Sequence, residues 1–219
     1  MIDYDKDTLN AYTSAKRAEE YKRFHTQEWS WGRFVTCFEQ KKIKKILNDY
    51  KWTDNSQLLD IPCGTGILGG LLENYPFKIT ASDISEEMMS LAKEEYPAKN
   101  LVACTQADIT KTKFNNDEFS VVICLGFLHR VPQDIKIAAL DEIHRVVSDV
   151  AIVSSSITTP AQRIKQAILK IIKPNHIPAP CPMGKQEILE MCKKRGFKVK
   201  EVITVLPILS AHALFVLEK

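Results

Sequence analysis

The stretch Leu58-Leu59-Asp60-Ile61-Pro62-Cys63-Gly64-Thr65-Gly66 constrains this chain more than any other. An apolar run ends at a carboxylate, two glycines follow, and Ile67, Leu68, Leu71 and Leu72 then recur at helical spacing. The pattern predicts a short buried strand, a sharp turn and a helix. Glycine tolerates positive φ and has no Cβ, so the backbone at Gly64 and Gly66 can bend and come close to a ligand. A helix after the turn would aim free N–H groups at the same place. The unit reads as a nucleotide-cofactor turn.

Asp60 sets the sign of that cofactor. A carboxylate beside the turn repels a pyrophosphate and attracts the amino and sulfonium charges of S-adenosylmethionine. Spacing alone leaves an NAD(P)-dependent oxidoreductase open, because Gly64-Thr65-Gly66-Ile67-Leu68-Gly69 satisfies G-x-G-x-x-G and Asp83 stands about twenty residues on. The order of the next signals separates the two. Lys78 to Asp83 reads as a strand whose final carboxylate can accept from both ribose hydroxyls, with Ile84 next to it. Leu101 to Thr105 is a third strand, followed by Asp108 for an adenine amine and Ile109 for the ring face. Phe119 to Leu125 is almost wholly apolar, as a strand buried on both faces must be.

Over residues 56 to 155 the chain resembles the class I S-adenosylmethionine-dependent methyltransferases, in particular the small-molecule, ubiquinone/menaquinone-type branch. The resemblance implies that the turn, the ribose acid and the acid before the fourth strand hold the donor, mapping onto Asp60, Gly64, Gly66, Asp83 and Asp108. Pro62, Cys63, Thr65, Ile84, Ile109 and Leu125 complete the expected donor contacts. Pro62 departs from the commonest form, a glycine, and offers no backbone N–H there. The implied fold is α/β: a Rossmann-like, doubly wound, seven-stranded and mostly parallel sheet, with an antiparallel C-terminal hairpin and an N-terminal helical cap.

A length of 219 residues, 45% of them hydrophobic, suits one methyltransferase domain. Its expected parts are a helical cap (1–55), a cofactor-binding core (56–155), a lid or insertion (156–183) and a C-terminal helix with hairpin (184–219). Thirty basic against 27 acidic residues leave a net charge of +3, too small a field to argue for nucleic acid or an acidic membrane. Six cysteines without C-x-x-C spacing read as reduced thiols. Met1-Ile2-Asp3-Tyr4-Asp5 is acidic where a signal peptide is basic, and no apolar run reaches membrane-spanning length. The expectation is a cytoplasmic enzyme without stable membrane insertion; the composition leaves its oligomeric state open.

Further along, Ile135 to Val147 predicts an amphipathic helix and Asp149 to Ser154 a fifth strand. Thr159 to Lys173 has a second helical pattern, closed by Pro174, Pro178, Pro180 and Pro182. Gly184 to Arg195 predicts a helix ended by Gly196, before two strands, Phe197 to Leu206 and Ala211 to Leu217, across Pro207.

The candidates for chemistry are few, since methyl transfer needs mainly an aligned nucleophile. His129 follows the fourth strand at the carboxyl edge, where an imidazole of ordinary pKa can take a proton from the acceptor. Tyr12, Tyr21, Arg33 and His176 are candidates for contacts to the acceptor or for the cap. The aromatic N-terminal segment also reads as simple helical core, and Arg33 as a surface ion pair. His25, His144 and His212 have no spacing that makes a metal site. Leu125-Gly126-Phe127 lacks the Pro-Pro-Tyr and Pro-Cys signatures of base methylation, which leaves a small metabolite, lipid or natural product as acceptor. A domain that binds S-adenosylmethionine without catalysis is the remaining alternative.

Overall fold

The computed structural model describes residues 14–158, Gln162, Ile172, 181–206 and 211–219. Two helices come first, α1 (Ala15–Thr26) and α2 (Trp31–Asn48). Next are β1 (Gln57–Asp60), α3 (Gly69–Leu72), β2 (Lys78–Asp83), α4 (Glu86–Ala92) and β3 (Leu101–Gln106). They are followed by β4 (Phe119–Cys124), a 3-10 turn (Leu128–Arg130), α5 (Gln133–Val146) and β5 (Val147–Thr158). The last described elements are β6 (Met183–Gly184), α6 (Lys185–Lys193), β7 (Lys198–Thr204) and β8 (His212–Glu218).

Strand order is β3-β2-β1-β4-β5-β8-β7. The first five strands are parallel, and β8 lies antiparallel between β5 and β7. Alternate residues point to opposite faces, so each central strand feeds two cores. Leu59, Val122 and Cys124 face α5 and α6 with Leu140, Ile143 and Ile188, whereas Leu58, Val121 and Ile123 face α2 with Ile43 and Leu47. Ser14, Ser30 and Ser85 cap α1, α2 and α4 by accepting the N–H of the third residue on.

The expected doubly wound sheet and its antiparallel hairpin are present, with three differences. The helix expected from Ile67 begins at Gly69 and makes a single turn; around its start the chain closes three-residue turns, with the Gly69 N–H on the Gly66 carbonyl at 2.9 Å and the Leu71 N–H on that of Leu68 at 3.0 Å. The fifth strand runs from Val147 to Thr158, longer than Asp149 to Ser154. Alongside its end, β6 pairs Met183 with Ile157, an eighth strand too short to leave a pattern. The pattern over 159–173, apart from Gln162 and Ile172, lies outside the described residues, as do Pro174, Pro178, Pro180 and Pro207.

Candidate functional site

The sheet order reverses between β1 and β4, and open α/β sheets gather ligands at the carboxyl edge of that point. Here β1 ends at Asp60 and the chain passes through a cis Ile61–Pro62 bond into Gly64, with φ +54. The Gly64 N–H donates to Asp83 Oδ2 at 2.8 Å and the Ser85 N–H to Oδ1 at 3.0 Å. The Cys63 N–H reaches the Ser82 carbonyl at 2.8 Å, so the tips of β1 and β2 are tied together.

The three glycines divide their work. A Cβ on Gly66 would stand 2.8 Å from the Ala92 oxygen, and one on Gly69 2.1 Å from the Glu95 oxygen. Both therefore admit the segment after α4, which delivers Tyr96 to donate its hydroxyl to Asp60. At Gly64 the nearest atom to such a Cβ is Tyr21 Cε1, 3.7 Å away. Of these three, Gly64 lines the cleft, whereas Gly66 and Gly69 pack against the chain around Ala92 and Glu95.

Asp60 is 2% exposed. Burial raises its pKa from the ordinary 3.8 to about 7; the Tyr96 bond opposes the rise and the nearby Asp83 adds to it. Burial also raises Asp83, against the pull of the N–H groups of Ser85 and Gly64. The Asp60 charge is thus conditional, and a neighbouring cation restores it.

Over this turn lies a cleft of about 210 Å³, with α1 and α2 as its roof. Pro62, Cys63, Gly64 and Leu125 line its floor, and Tyr21, His25, Thr36, Glu39, Arg130 and His212 its upper part. His25 Nδ1 is 2.9 Å from Thr36 Oγ1, His212 Nδ1 is 3.8 Å from Glu39 Oε1, and the Arg130 guanidinium sits 5.9 Å from the Tyr21 ring centre.

Thr65 is buried in the turn, and its Oγ1 has no hydrogen-bond partner among the described residues. Asp108 stands beyond the end of β3, one oxygen taking the N–H and hydroxyl of Thr110 at 2.8 Å each. Ile109 packs into the core against α5, and the Ile84 carbonyl accepts from Gln106 Nε2 at 2.8 Å.

Arg33 does not reach the cleft. It lies on the outer side of α2, and its Nη1 donates to the Thr26 carbonyl at 2.7 Å, which joins α1 to α2. His129 lies behind the cleft lining, 6% exposed, with its ring 5.1 Å from that of His212. Burial chiefly, with His212 and Lys136 adding, lowers its pKa from 6.5 to about 3, so the imidazole stays neutral well below the ordinary histidine range. Tyr12 and His176 lie outside the described residues. Sequence reasoning passed over His212, Glu39 and Arg130, which come from three elements and share no spacing.

The parallel core, the glycine turn and the acids at successive strand ends agree with the resemblance to the class I S-adenosylmethionine-dependent methyltransferases. Residues 58–149 match the family described as methyltransferase domain. The chain is 33% identical over 85 residues to YqeM of Bacillus subtilis (strain 168), covering 36% of this chain and 34% of that protein. It is 29% identical over 119 residues to the demethylmenaquinone methyltransferase of Staphylococcus aureus (strain JH9), covering 52% of this chain and 48% of the relative. The chain thus spans half or less of the length of these curated relatives.

Among solved structures, the magnesium protoporphyrin IX methyltransferase of Synechocystis PCC 6803 with bound SAH superposes with a TM-score of 0.80. Identity is 14%, over 98% of this chain and 99% of that one. A TehB-like SAM-dependent methyltransferase from Corynebacterium glutamicum has a TM-score of 0.63 at 17% identity, over 94% and 100% of the two chains. At these identities the likeness is one of fold.

Proposed function

We propose that this chain transfers a methyl group from S-adenosylmethionine to a small-molecule acceptor held between the cap helices and the carboxyl edge of the sheet. One observation carries the reading: two buried carboxylates flank the glycine turn, Asp60 lining the cleft and Asp83 pinned by the N–H groups of Gly64 and Ser85. Negative charge at this turn suits a cationic donor with a ribose diol and opposes a pyrophosphate.

The residues present fit such a donor. Both Asp83 oxygens accept backbone N–H groups, and a carboxylate with about four lone-pair sites keeps capacity for a hydroxyl. Gly64 leaves open the space a side chain would fill, and beside it Thr65 has a buried hydroxyl with no partner among the described residues. Asp108, with Ile109 next to it, stands at the neighbouring strand end where an adenine would lie. When bound, the donor supplies an electrophilic methyl group. The chain's part is orientation and exclusion of water, which account for most of the barrier lowering in such a transfer.

The names of the relatives, a demethylmenaquinone and a magnesium protoporphyrin IX methyltransferase, support a planar, largely apolar acceptor. The cleft suits one, with Phe24, Trp31, Val35 and Leu125 on its walls and Arg130 and His212 among its polar groups. A cytoplasmic location belongs to the same reading, supported by six free cysteines and by described helices none of which is long and apolar enough to cross a membrane.

Titration calorimetry with S-adenosylhomocysteine and with NAD tests the donor assignment. Binding of the first alone is expected; binding of NAD alone overturns the reading. Asp83→Asn should keep the fold and weaken donor binding by about 1.5–3 kcal/mol, through loss of a charged acceptor.

A further inference from the structure

We infer that the tip of the α1–α2 hairpin, with the outer stripe of α2, docks this protein on an anionic lipid surface. Trp29 is 99% exposed, and Phe24, Trp31 and Phe34 are exposed by 44–50% on either side of it. Soluble surfaces rarely cluster large aromatic rings in this way without a partner.

The tip is a built feature. Trp29 has φ +66, a backbone state that non-glycine residues seldom occupy. It is held there by flanking bonds: Gln27 N–H to the Arg23 carbonyl, Ser30 N–H to the Gln27 carbonyl, and Ser30 Oγ to the Phe24 carbonyl. Arg33 bonds the Thr26 carbonyl across the hairpin, and a Cβ on Gly32 would come within 2.5 Å of Phe24, so the helices cross at their closest approach. The fold fixes an indole in solvent where a polar turn residue would meet the same backbone demand with less exposed apolar surface.

Charge identifies the occupant. Trp31, Phe34 and Phe38 begin a stripe that Lys41 and Lys45 continue at helical spacing, with the Lys41 ammonium 5.3 Å from the Phe38 ring centre. α2 has five basic residues and a single carboxylate, Glu39, which faces the cleft. Glu28 is the one acid in the turn beside Trp29. Aromatic rings at one end and ammonium groups at the other match the acyl boundary and the anionic headgroups of a bilayer. Because Phe24 and Trp31 also line the cleft, the docked mouth opens at the lipid surface.

The test uses the full chain without donor or acceptor, so its failure leaves the methyl-transfer reading standing. Vesicles of equal parts phosphatidylglycerol and phosphatidylcholine should sediment the protein and shift its tryptophan emission to the blue; phosphatidylcholine alone should do so far less. Trp29→Ala should fold normally, since its side chain is almost wholly exposed, and should lose binding about tenfold. Lys41→Glu and Lys45→Glu should each cost about fivefold on the anionic vesicles. Wild-type protein that stays in the supernatant, or Trp29→Ala that binds as wild type does, overturns the proposal. So does a concentration-dependent dimer with blue-shifted emission in the absence of lipid, which would assign the surface to a second copy.

Discussion

Tyr96 donates its hydroxyl to Asp60, so the carboxylate lining the cleft is held by a phenol brought in from the segment after α4. Gly66 and Gly69 make this possible by letting that segment approach the turn. Asp60 is consequently a charge that burial works against, and its titration links the turn to both stability and ligand binding.

The stability effect follows from the raised pKa. An unfolded Asp60 releases its proton near 3.8 and the folded one near 7. The folded chain holds the proton more tightly, so the contribution is complete below 3.8, is lost as pH rises toward 7, and is constant beyond. At about 1.36 kcal/mol per unit, Asp60→Asn, which keeps an acceptor for Tyr96, should exceed wild type by about 2–4 kcal/mol at about pH 8. Near pH 4 the two should nearly coincide. Denaturant melts at both values check this, and a pH-independent difference would exclude the linkage.

Donor binding should release a proton. A cation beside Asp60 favours the carboxylate and lowers its pKa. S-adenosylmethionine should therefore bind more tightly as pH rises from about 6 to about 8, with proton release largest near neutrality. Calorimetry in two buffers of different ionisation enthalpy measures the release directly. Asp60→Asn should bind the donor weakly and release none.

The glycines should separate by phenotype. Gly69→Ala places a methyl group 2.1 Å from the Glu95 oxygen and Gly66→Ala one 2.8 Å from the Ala92 oxygen, the latter also at φ +77. Both should lose several degrees of melting temperature, for a cost of about 2 kcal/mol or more. Gly64→Ala meets only Tyr21 at 3.7 Å, so its fold cost should stay near 1 kcal/mol while donor affinity falls. Donor affinity unchanged in a folded Gly64→Ala would remove that residue from the site.

His129 should remain neutral across the working pH range. With its pKa lowered from 6.5 to about 3, it supports the fold above 6.5 and loses that contribution as pH falls toward 3. The C2–H resonance of His129 should show no titration step between about pH 5 and pH 8. His129→Asn should leave the pH dependence of methyl transfer unchanged. A step near neutrality in the rate profile that vanishes in the variant would support the catalytic role read from the sequence.

Local patterns made much of this legible. Leu58 and Leu59 feed opposite cores, Asp83 ends its strand as expected, and Gly196 closes α6 with φ +87. The length of α3 was hidden because apolar spacing from Ile67 to Leu72 is the same whether the chain closes three-residue turns or an α-helix. The upper cleft was hidden for another reason. His212 meets Glu39 and His129 only because β8 enters the sheet beside β5, a contact set by topology across long stretches of chain. Arg33 misled because a cation amid aromatic residues says nothing about which side of the helix it takes.

The interior place of β8 has a consequence for how the protein is made. Residues 212–218 leave the ribosome after every other described strand, yet they pair with Val150–Ser156 on one side and Lys198–Thr204 on the other. Until they emerge, β5 has an open edge and β7 has no neighbour among the described strands, the condition in which nascent sheets recruit wrong partners. The parallel strands can assemble during synthesis. The sheet, and with it the wall that brings His212 to Glu39, closes only when β8 arrives.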